Sequence, residues 1–93
     1  MVIQKSTAEK ELCRMQLIAR HAGERAFAAL KELEWEAPSD LVEELKGGLR
    51  RVQSEADAEY ARLELEIEIL REKEDTARRL EEARAAIAAW DMR

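Results

Sequence analysis

The side chains able to do chemistry are few. His21 is the one imidazole and Cys13 the one thiol of the chain. They lie eight residues apart on what reads as a single helix, about 12 Å along its axis. A nucleophile and its base need hydrogen-bond contact, so this spacing excludes them as a dyad within one chain. One histidine also rules out sites built on several imidazoles. His21-Ala22-Gly23-Glu24 runs opposite to the Glu-x-x-His element of di-iron bundles and has no second copy. Glycine-rich phosphate loops and Cys-x-x-Cys pairs do not occur. With 17 glutamates some carboxylates must fall close together, and none is set apart as an acid or a base. The expectation is a protein that is not an enzyme and takes no metal and no cofactor. His21 reads as an exposed helical residue and Cys13 as a small apolar one. An odd cysteine fits a reducing compartment, with a disulfide across a dimer as the alternative.

Charge placement says more than the catalytic inventory. The formal net charge is −5, and by segment it is +1 over residues 1–35, −7 over 36–75 and +1 over 76–93. Within the acidic middle, Glu64, Glu68, Glu72 and Asp75 follow four-four-three spacing and so share one helix face. Like charges at i,i+4 each cost an isolated helix a few tenths of a kcal/mol, about 0.2–0.5. Two accounts are open: a solvated stripe partly offset by Arg71 and Lys73, or a surface for a protein partner that is itself basic. Arg50-Arg51 and Arg78-Arg79 have acidic neighbours within a turn, which makes them solvated ion pairs rather than a phosphate site. Trp35 and Trp90 are either interface anchors, where tryptophan is enriched, or packing at the ends of a hairpin.

The elements that must position these residues are helices. Ala, Glu, Lys, Leu and Arg fill 60 of the 93 positions, above the ~50% that marks long helices and coiled coils. A first helix is predicted over about 7–35, opening at Ser6 with Glu9 in the spacing of a reciprocal cap. Its seam reads Leu12, Met15, Ala19, Ala22, Ala26, Ala29, Leu33, with Ile18, Phe27 and Leu30 widening it. Gly23 in that seam either admits a close neighbour or is incidental. A turn follows at 36–39, where Pro38 disfavours helix before it and Asp40 with Glu43 offers a new cap. So short a turn implies an antiparallel hairpin. The second helix is expected over about 40–92, kinked or frayed at Gly47-Gly48. It is too long for the first to cover. Either it projects and pairs with another subunit, or it breaks near 73–76 to give a third helix.

Leu63 to Ile69 alternates apolar and acidic residues with period two. Its flanks are helix formers without turn signals, so helix is retained, with Leu63, Ile67 and Leu70 on one face and Leu65 and Ile69 on another. These, with Leu80 and Ile87 further on, form the candidate seam of a coiled-coil-like oligomer. Leu, Ile, Val and Phe sum to only 20 residues, so a thin core is expected, completed by another subunit.

The chain is therefore expected to be one all-α domain, residues 1–93, associating as a homo-oligomer with a dimer favoured. Net acidity argues against direct binding to nucleic acid or to an anionic membrane. Met1–Lys5 offers no apolar signal-peptide core and no run approaches a membrane span, which points to the cytoplasm. The functional expectation is an adaptor or small acidic inhibitor that binds a protein, of the kind phages and plasmids direct at nucleic-acid-handling machines. The alternative is a secretion-system substrate or chaperone. In two short pieces, Trp35-Glu36-Ala37 and Tyr60-Ala61-Arg62-Leu63-Glu64, the chain resembles the small Trp-x-Gly secretion substrates, a resemblance that implies a helical-hairpin dimer with a Tyr-x-x-x-Asp/Glu export element. Ala37 stands where that family has glycine, and Tyr60 lies mid-helix rather than near the tail.

Overall fold

The structure, a computed structural model, describes residues 6–92. Two helices account for nearly all of them, α1 over Thr7–Leu33 and α2 over Asp40–Asp91. Met1–Lys5, read above for a leader segment, lie outside the described residues.

Local chemistry sets both helix starts. Ser6 caps α1, its hydroxyl accepting the Glu9 N–H at 3.1 Å. The expected reciprocal cap is only half made, because the Glu9 carboxylate accepts from Arg71 Nε on the other helix instead. Ser39, not Asp40, caps α2: its hydroxyl accepts the Val42 N–H at 3.1 Å, which leaves Asp40 and Glu43 in the first turn. There their charges favour the positive end of the helix dipole. Between the helices, the Trp35 N–H donates to Glu32 O at 3.3 Å and the Glu36 N–H to Leu33 O at 3.2 Å, closing the turn before Pro38.

The hairpin is antiparallel and its register can be read from two points. Glu9 meets Arg71, and Gly23 lies over Ala56 and Asp57. Residue i of α1 therefore faces residue 80 − i of α2, to within one. Small residues make the helices' approach close: Ala19, Gly23 and Ala26 are buried on α1 against Ala56, Leu63 and Ile67 on α2. Among the described residues, Leu63 is the one large side chain that is fully buried, at 1% exposure. The core is thin, as the composition predicts.

The second helix is continuous. It runs through Gly47 and Gly48, neither of which takes a positive φ. Each glycine costs about 1 kcal/mol of helix propensity, too little to interrupt a long cooperative helix. Nor does it break at 73–76. Asp75, the residue that would cap a third helix, instead pairs within the helix with Arg78 and, at 2.9 Å, with Arg79. Those i,i+3 and i,i+4 contacts support helix.

Because α1 begins at Thr7, the register places no residue of α1 opposite α2 beyond about residue 73. From Glu74 to Asp91 the second helix extends past α1, about 27 Å at 1.5 Å per residue. The chain measures 82 × 20 × 14 Å with a radius of gyration of 22.6 Å, against ~12 Å for a compact domain of this length. No helix among the described residues is long and apolar enough to cross a membrane.

Candidate protein-interaction surface

Each candidate residue now has a place. Glu64, Glu68 and Glu72 stand exposed along α2, about 6 Å apart per step. None of the three forms an ion pair within the described residues. Asp75 is half-buried and taken up by Arg78 and Arg79, so it closes the row rather than adding open charge. Of the two basic neighbours, Lys73 is exposed beside Glu72, whereas Arg71 is drawn to the other helix. Arg71 hydrogen bonds the buried Glu9, and that contact above all holds its guanidinium in the charged form, with Glu68 a lesser influence.

Nearby, Arg62 bridges Glu59 and Glu66 one turn to either side. The Arg62 hydrogen bond holds the Glu59 carboxyl below its usual range, and Glu59 in turn raises Arg62. Arg14 lowers Glu11 on α1 in the same way. All of these pairs face solvent and add little to stability.

Neither tryptophan is buried at a hairpin end. Trp35, just past the end of α1, is 89% exposed, and Trp90 near the end of α2 is 64% exposed. The apolar candidates divide. Leu63 and Ile67 are spent on the contact with α1 and Leu70 is half-buried beside them. Leu65, Ile69, Leu80 and Ile87 are exposed. The period-two alternation thus records two apolar faces of one helix.

Sequence reasoning missed two features. The first is the cross-helix pair of Glu9 and Arg71, which couples residues 62 apart in the chain. No local signal could have given it. The second is a groove of about 540 Å³ on one side of the hairpin, lined by Arg20, Gly23, Glu24, Phe27, Asp57 and Tyr60 among others. Gly23 forms its floor, and the mid-helix glycine was its one trace in the sequence. Arg20 and Glu24 pair with each other at 3.0 Å on the rim. Tyr60 is half-buried here.

Among the described residues, no three of His, Cys, Asp and Glu come together in a way that could hold a metal ion. His21 is exposed and Cys13 half-buried. No protein family, curated protein or solved structure matches this chain.

Proposed function

We propose that this chain is a non-enzymatic protein-interaction module that binds a partner of basic surface through the acidic shoulder of α2. The observation that carries the reading is the row of Glu64, Glu68 and Glu72, exposed and without an ion pair among the described residues on one continuous helix, while Arg62, Arg71, Arg78 and Arg79 are engaged elsewhere. Such a row costs the isolated helix energy and gives a basic partner both steering and register. A partner whose basic face normally holds nucleic acid is the sharper form, and makes the chain a small acidic inhibitor acting in the cytoplasm, with no direct contact to nucleic acid or membrane. Trp35 and Trp90, large and exposed, supply anchors toward the two ends of the molecule, each roughly 27 Å or more along the axis from the row.

The test is capture by the tagged chain and by a variant with Glu64, Glu68, Glu72 and Asp75 all changed to lysine. Proteins held by the wild-type chain should be basic, should elute with salt, and should be lost from the variant while its far-ultraviolet helix signal persists. An identical set held by both would end the reading. Recovery of the chain from the culture medium would favour the export alternative.

A further inference from the structure

A second apolar row runs down α2, on the side away from α1. At 100° per residue, Leu65, Ile69, Leu80, Ala83, Ile87 and Trp90 fall within about 80° of one another around the helix. Ala56, Leu63 and Ile67, which meet α1, lie on the opposite side. The row begins on the back of the hairpin and continues without turning along the projecting end. Its large members are 45% to 64% exposed. Midway along it, Ile69, Glu72, Lys73 and Thr76 line a shallow groove of about 360 Å³.

We propose that a second copy of this chain covers this row, the two α2 helices running antiparallel about a two-fold axis at Thr76. In that register residue i of one copy meets residue 152 − i of the other. Leu65 then lies against Ile87, Ile69 against Ala83, and the Trp90 ring over the Arg62 side chain, a favourable place for a cation.

Charge selects this arrangement. On one flank Glu66 comes within two residues of Arg84, and Arg62 within one of Asp91. On the other flank Asp75 comes within two residues of Arg79 and Glu68 within two of Glu82, so the favourable contacts outnumber the like-charge ones across the two flanks. Arg62 and Glu72 are the two charges on the row itself, and Arg79 of the second copy falls beside Glu72. A parallel, in-register pair fails on the same residues, since it sets Glu72 against Glu72 and Arg79 beside Arg84.

From Arg62 to Trp90 the contact is about 42 Å long on each copy. Two such strips bury on the order of 1,000 Å², the lower end for a specific interface, so the dimer dissociates on dilution. Glu64 and Glu68 lie on the shoulder outside the row. Glu72 and Trp90 are shared with the partner reading, so a second copy and a basic partner compete there, but the purified chain alone tests this proposal.

The experiment uses the full chain carrying Cys13→Ser. Sedimentation equilibrium at high micromolar concentration should give the mass of two chains. Thr76→Cys should cross-link to itself on mild oxidation. Ala83→Cys should not, because the two copies of that residue stand about 21 Å apart along the axis. Glu66→Arg should weaken association about tenfold through two symmetry-related repulsions, and adding Arg84→Glu should restore it. Circular dichroism on each variant confirms that the helices persist. A monomer at every concentration, cross-linking at Ala83→Cys, no cross-linking at Thr76→Cys, or a charge swap that fails to restore association would each overturn the proposal.

Discussion

Gly23 occupies a position where a methyl group would meet Asp57 Oδ1 at 3.5 Å and the Ala56 Cβ at 3.6 Å, ordinary contact distances. The close approach of the helices is therefore compatible with alanine, and Gly23→Ala should stabilise the chain by about 0.5–1 kcal/mol through helix propensity. Gly47 and Gly48 have nothing within 4 Å of an added Cβ, so alanine at either should do the same. Thermal melts of the three variants check this. The Glu9 and Arg71 pair is asymmetric in a way that makes a second prediction. Glu9 is 5% exposed, whereas the Arg71 side chain is 58% exposed. Arg71→Ala strands a buried carboxylate and should cost about 1–3 kcal/mol. Glu9→Gln leaves only an exposed guanidinium behind and should cost less. Equal losses in urea melts would contradict this account.

The same division holds between the two faces of α2. Leu63 is fully buried against α1 and Leu65, two residues on, is 58% exposed. Leu63→Ala should therefore cost about 2–5 kcal/mol, enough to separate the helices in so thin a core. Leu65→Ala should leave the melting of a dilute monomer nearly unchanged. Acid should act on the helices through Glu11 and Glu59, whose carboxyls are held low by Arg14 and Arg62. Their contribution is fully present above the ordinary glutamate value of about 4.3 and is lost as pH falls through the lowered native values. Replacing Arg62 with alanine should flatten that part of the profile of melting temperature against pH. Much of the architecture was legible at this scale. Both helices, the turn and the Ala-rich seam follow from periodicity and from Pro38. What periodicity could not supply was which apolar face meets α1, because Leu63–Ile67 and Leu65–Ile69 carry equal hydrophobicity. The choice depends on a register fixed by distant contacts, Glu9 with Arg71 and Gly23 with Ala56. Ser6 caps α1 as its spacing predicts, whereas the reciprocal half of that cap and the cap of α2 differ for a related reason. Glu9 had a tertiary partner that a local rule does not see, and Ser39 precedes Asp40 with a hydroxyl equally able to accept.

Taken whole, the chain is a hairpin of unequal arms, and the unequal part is separable. No residue from 77 to 92 is other than exposed, and the register places none of them against α1. Deleting residues 77–93 should leave the hairpin folded, with dilute melting temperature shifted by no more than a few degrees, while the helix signal falls by roughly the share of residues removed. Loss of cooperative melting would show that the projecting end stabilises the hairpin from outside the contacts described. The projection also bears on how long the molecule lasts. A single helix of this length, unsupported in water, is marginal and opens locally far more often than the paired region. Arg78, Arg79 and Arg84 all lie within it. Trypsin should trim these sites first and stop where α1 begins its cover, leaving a fragment that ends near Arg71. Whatever occupies the projecting end, a second copy or another protein, shields it from that cleavage, so the survival of the chain in a protease-containing environment becomes a measure of whether its surface is in use.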